Sequence, residues 1–215
     1  MRKLFSAVIF ALASLSPLPV FAGVQAYSSR ASFLAAAGAV QVESFNSVSA
    51  DQSFQNAPVV LGNLTIAGYG ANPVGFNFID VLPFSIPATA IDGSTFILGD
   101  VSTGSGFTLS YASPVRAWGA DFVELQNQVV RTAIEIDGTT ALTPEVSPNN
   151  GMHSFFGFVS DAPFTTVKFI SVNTSVADGF GMDNVTVSVP EPRQALLLVA
   201  GLGVLGLLRR RCRQG

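Results

Sequence analysis

A chain of 215 residues is long enough for one hydrophobic core with room left for targeting segments. It is 48% hydrophobic and 12% charged, but its longest apolar runs lie at the two ends; residues 23 to 189 hold thirteen Asp and Glu against only Arg30, Arg116, Arg131 and Lys168, a net charge of −9 that excludes a phosphate-backbone binder and favours divalent cations. The single cysteine, Cys212, and the single histidine, His153, rule out an internal disulfide in the body, a multi-histidine metal site and any catalytic triad that needs histidine elsewhere.

Residues 1–22 carry the three parts of a secretory signal. Arg2 and Lys3 precede an apolar stretch from Leu4 to Leu15, and Ser16-Pro17-Leu18-Pro19 breaks the helix before small residues. Cleavage by signal peptidase between Ala22 and Gly23 is expected, with the folded domain running over 23–188.

Next, Ser28 to Gly38 reads as one short helix, with a serine cap, alanines inside and a glycine stop. From Val40 onward, short β-branched and aromatic runs alternate with Gly, Pro, Asn and Asp, which predicts strands near 40–45, 59–67, 76–81, 95–98, 106–111, 117–124, 129–137, 153–159, 166–172 and 184–189. Polar and apolar residues alternate in Thr132 to Asp137 and in Thr166 to Ser171, the pattern of antiparallel sheets with one wet face. The expected fold is therefore all-β: an antiparallel two-sheet sandwich of jelly-roll or lectin-like type with one short N-terminal helix, flanked by the signal peptide and a C-terminal apolar helix.

Most of the eighteen phenylalanines are expected in the core, as is Trp118 within its strand; Tyr27, Tyr69 and Tyr111 carry a polar handle and are better placed to meet a ligand. The carboxylate pairs Asp121 with Glu124 and Glu135 with Asp137, of the kind glycosidase chemistry uses, have plainer roles on solvated strand faces, and His153 beside Ser154 is an ordinary strand pair. The sequons at Asn63, Asn173 and Asn184 read as accidental, and no phosphate loop, dinucleotide fingerprint or zinc motif is present. The chain is read as a non-enzyme.

Residues 189–215 form the most specific segment. Pro190-Glu191-Pro192 removes backbone donors and leaves an extended, accessible stretch with one charge to read. The apolar run 195–208 follows; as a helix its fourteen residues span ~21 Å, short of the ~30 Å hydrocarbon core, so it suits a transient lodging in the inner membrane with snorkelling arginines. Arg209, Arg210, Arg211 and Arg213 close the chain and should stay cytoplasmic, which places the folded domain outside.

In that order, these three parts resemble the PEP-CTERM protein-sorting domain. The resemblance implies recognition by an exosortase, a membrane-embedded cysteine protease of Gram-negative bacteria that make exopolysaccharide, with processing near Pro190, Glu191 and Pro192. It also implies delivery to the envelope, cell surface or extracellular matrix, with membrane anchoring at least in passage. The body resembles exported domains that accompany this tail through Ser32 to Gly38, Phe155 to Ser160 and Asp178 to Val185. Many jelly-roll carbohydrate modules share a structural Ca2+ between an early acid and an Asp opening the last strand; the matching positions are Glu43 and Asp183, with Asp178 a looser candidate. A structural Ca2+ is thus the one cofactor to test. The functional expectation is non-catalytic carbohydrate binding or adhesion in exopolysaccharide, the alternatives being a polysaccharide hydrolase or lyase and a purely structural matrix protein.

Overall fold

Helix α1 (Arg30–Ala37) forms where the serine cap predicts it: Ser29 Oγ accepts from Ser32 N–H at 3.5 Å, and Gly38, at φ 73°, ends the turn. The computed structural model describes residues 23–71, 75–82, 90–125, 132–144, 153–172 and 177–189. The signal segment with Ala22 lies outside the described residues, and so does the tail with Pro190, Glu191, Pro192, Arg209, Arg210, Arg211 and Arg213. Among the described residues, no helix is long and apolar enough to cross a membrane.

Around α1 the described chain is all strand: β1 (Val24–Tyr27), β2 (Val40–Glu43), β3 (Gln52–Ser53), β4 (Val59–Leu61), β5 (Leu64–Tyr69), β6 (Phe78–Asp80), β7 (Phe96–Val101), β8 (Gly106–Val123), β9 (Thr132–Ile136), β10 (Thr140–Leu142), β11 (His153–Ser171) and β12 (Asp178–Ser188). Every pairing is antiparallel. The main path runs β10-β9-β11-β8-β12-β7-β6-β3, with β1 on β11, β2 on β12, and the β4–β5 hairpin on β8.

Two predicted pairs of strands are each one long strand. Segments 106–111 and 117–124 join as β8, and 153–159 and 166–172 join as β11. Phe107 and Phe122, fifteen residues apart on β8, would be about 50 Å apart on a straight strand. Yet both rings lie against Phe169, at 4.5 and 6.2 Å. The strand therefore doubles over, and the bend falls at Ala112, Ser113 and Pro114, which are all exposed. β11 bends with it: its register against β8 shifts between Val159 and Phe164 and again before Thr166. One hydrogen-bonded sheet thus wraps a single core, in which Phe107, Trp118, Phe122, Phe158, Phe169 and Phe180 are all fully buried.

The opposite face of the sheet receives α1. Phe33, the one buried residue of the helix, sits 5.4 Å from the Phe155 ring and covers Gly157. A Cβ at Gly157 would come within 2.9 Å of Phe33 and 3.1 Å of the Gly119 backbone, so the absence of side chains here is what lets the helix settle.

Candidate functional site

β12 pairs with β8 in register at Asp183 opposite Asp121, and again at Thr186 opposite Gly119, so it holds one extra residue. The bulge is at Asn184, whose φ of 52° is in the left-handed region that asparagine tolerates. It gathers a polar cluster. Arg30 reaches over from α1: Nη2 lies 2.8 Å from Asp121 Oδ2, Nε donates to Asp121 Oδ1, Nη1 donates to Thr186 Oγ1 and Nη2 to the Asn184 carbonyl. The guanidinium also lies 4.8 Å over the Phe155 ring.

Asp183 is fully buried beside this cluster. Ser94 Oγ donates to its Oδ2 at 3.2 Å, and Asn184 N–H donates to its Oδ1 at 2.6 Å. Burial pushes the carboxyl up to about 7; the Asn184 N–H works against that rise, and the Asp92 and Asp121 carboxylates add to it. Asp92, on the exposed loop before β7, is itself held below its ordinary value, chiefly by the Ser94 side chain.

Glu43 is elsewhere. It lies opposite Val185 in the β2–β12 pairing, its Oε1 accepts from Phe45 N–H at 2.8 Å, and it borders a cleft with Val185 and Tyr111. Because of the bulge, Asp183 belongs to the face that carries Asp121 and Arg30, whereas Val185 packs into the core. The two carboxylates share no hydrogen-bond partner. Ca2+ takes six to eight oxygens, and among the described residues no three His, Cys, Asp or Glu side chains are grouped to hold a metal. Among the described residues, then, no third such side chain joins Glu43 and Asp183 of the expected calcium pair. Asp178, the looser candidate, is buried at the start of β12 and accepts from Thr132 Oγ1.

The carboxylate pairs weighed for acid–base chemistry are dispersed in the same way. Asp121 is engaged by Arg30, while Glu124 lies just past the end of β8. Glu135 faces Lys168 across the β11–β9 pairing at 3.8 Å, and Asp137 caps the bend before Thr166 through Thr165 and Thr166 N–H. His153 is exposed at the start of β11. Trp118 is fully buried, Tyr27 packs edge-on against Phe33, and Tyr69 donates to the Phe169 carbonyl beneath Lys168. Of the aromatic ligand candidates, only Tyr111 borders the cleft beside Glu43.

Arg30, Asp92, Ser94 and Asp100 were not distinguishable as site residues by sequence reasoning. Asp100 is 1% exposed with neither carboxylate oxygen hydrogen-bonded among the described residues, and burial, then the Asp178 charge, pushes it up to about 6. No local pattern marks it, since it continues the apolar run Phe96-Ile97-Leu98-Gly99.

No protein-family model matches the chain, and no curated protein resembles it at a significant level.

Proposed function

We propose that the chain is an exosortase-sorted, exported protein of the envelope or extracellular matrix, and that its β domain, a jelly-roll-like sandwich, binds carbohydrate without catalysis. The observation that carries this reading is the order Pro190-Glu191-Pro192, apolar 195–208, then Arg209 to Arg213, which begins just past the end of β12 at Ser188. The doubled-over sheet with its single aromatic core supports the sandwich. Support for the domain limits comes from both ends of the fold: β1 starts at Val24, next to the expected cleavage bond, and Val189 N–H donates to the Ala39 carbonyl, so the chain is tied to the body up to the motif.

Intact-mass spectrometry of the protein recovered from its native host tests the sorting. A mature chain beginning at Gly23 and cut near Pro190, Glu191 or Pro192 is expected; full-length, uncut protein in the cytosol would refute the reading. Incubation with the native exopolysaccharide tests the domain: retention without new reducing ends is expected, and steady release of reducing ends would make the chain a hydrolase instead.

A further inference from the structure

We infer that Asp161 receives the α-ammonium of the mature chain, so that cutting the Ala22–Gly23 bond turns a backbone hydrogen bond into an ion pair that fastens β1 to β11. The inference rests on the cleavage expected at that bond and states what the new chain end does. Two hydrogen bonds already join the residues: Gly23 N–H donates to Asp161 Oδ2 at 3.2 Å, and Asp161 N–H donates to the Gly23 carbonyl at 3.0 Å. They continue the β1–β11 ladder, which begins with Val24 opposite Ser160.

The position favours an unhindered nitrogen. A Cβ at residue 23 would stand 3.0 Å from Asp161 Oδ2, tighter than ordinary van der Waals contact, so a side chain there would press the carboxylate away from the nitrogen it accepts from. Asp161 is exposed, in the stretch between Val159 and Phe164 where β11 shifts register against β8. Among the described residues, the other charged side chain in contact with it is Arg116 of β8, whose Nη1 donates to the Asp161 carbonyl. That guanidinium engages the backbone and leaves the carboxylate to the Gly23 nitrogen.

Hydrolysis breaks the Ala22 C–Gly23 N bond: the oxygen of water joins the Ala22 carboxylate, and the nitrogen leaves as an amine that is protonated below its ordinary pKa of about 8. An ammonium brings three donors and a full charge where the amide brought one donor, and charge-assisted hydrogen bonds are roughly twice as strong as neutral ones. The first residues of a chain fray unless tied down, and β1 has β11 as its one neighbour in the sheet among the described residues. The pair raises the pKa of the amine on folding, so its contribution to stability is present below about pH 8 and is lost as pH rises through the folded value.

The test recovers the mature protein from its native host, reads its first residue by intact-mass spectrometry, and titrates its α-amine by competitive acetylation from pH 6 to 10, beside the Asp161→Asn variant. The parent amine should titrate above the ordinary range of about 7.7 to 8.0 and be about threefold less reactive at pH 7 than that of Asp161→Asn, a gap that 1 M salt should close. Asp161→Asn should also lower the melting temperature of the mature protein at pH 7 more than that of the full-length chain in detergent, where the Gly23 nitrogen is still an amide. Identical amine titrations in parent and variant, or an equal loss of melting temperature in the two chain forms, would refute the ion pair and leave the cleavage reading standing. A mature chain that starts at any residue other than Gly23 would remove that cleavage and the ion pair together.

Discussion

Asp183 lies directly across from Asp121 in the β12–β8 pairing, and among the described residues only one of the two has a cation: Arg30 takes Asp121, while Asp183 is buried against Ser94 and the Asn184 N–H. Like charges placed opposite each other on neighbouring strands destabilise a sheet. The arrangement persists because the arginine neutralises one partner and burial favours the protonated form of the other.

A pH dependence follows. The Asp183 carboxyl rises from 3.8 to about 7 on folding, and Asp100 to about 6. Between those limits the folded chain binds more protons than the unfolded one, so each group's contribution to stability falls as pH rises from about 4 towards its folded value, by at most about 1.4 kcal/mol per pH unit for one group. Asp183→Asn keeps an acceptor for Asn184 N–H and offers an amide to the Ser94 hydroxyl, and should raise the melting temperature at pH 8 more than at pH 5. Adding Asp100→Asn should flatten the profile further. Thermal melts from pH 4 to 8 decide it; a variant profile as steep as the parent's would remove both groups as the cause.

Arg30→Ala should cost about 2 kcal/mol, since it deletes charge-assisted hydrogen bonds and leaves Asp121 facing Asp183 with no cation. Arg30→Lys keeps the charge but loses the planar fork and the stacking on Phe155, so an intermediate loss is expected. Urea unfolding of the three proteins checks the order. In a double-mutant cycle, Arg30→Ala with Asp121→Ala should lose much less than the sum of the two single changes.

How far the sequence reaches is clear from these residues. Alternation in Thr132 to Ile136 and the serine–glycine limits of α1 are local signals, and they mark the right elements. Pro114 and Pro163 read as strand breaks because proline cannot donate to a ladder; both lie inside long strands, at the bends where β8 and β11 fold over and pairing is interrupted in any case. The Asp183-Asn184 step carries a local hint of a bulge, because asparagine tolerates positive φ. That one extra residue reverses the face on which Asp183 lies, and it separates Asp183 from Glu43, which no spacing argument on first and last strands would detect. Arg30 finds Asp121 across 91 positions, a contact set by tertiary packing alone.

The separation of Glu43 from Asp183 makes a metal-removal prediction. Treating the full chain with a chelator should leave its melting temperature unchanged, and millimolar Ca2+ should not raise it, because among the described residues no three acidic, His or Cys side chains are grouped to hold a metal. A stabilisation by Ca2+ that Asp183→Asn abolishes would overturn this and restore Asp183 as a calcium ligand.

Gly157 and Gly119 are the last case, and they tie the helix to the sheet. A methyl group at 157 would stand 2.9 Å from Phe33 Cδ2, 3.0 Å from Phe155 Cζ and 3.1 Å from Gly119 Cα, so two rings and a backbone would have to yield together. Overpacking of this kind costs about 1 to 3 kcal/mol. Gly157→Ala should therefore destabilise the fold by that amount, and because α1 is the element displaced, amide exchange in residues 30–37 should accelerate more than in β8 or β12. Combining it with Phe33→Leu, which shortens the opposing side chain, should recover part of the loss. A Gly157→Ala protein with unchanged stability and helix protection would mean that the glycine contact carries no weight in holding α1.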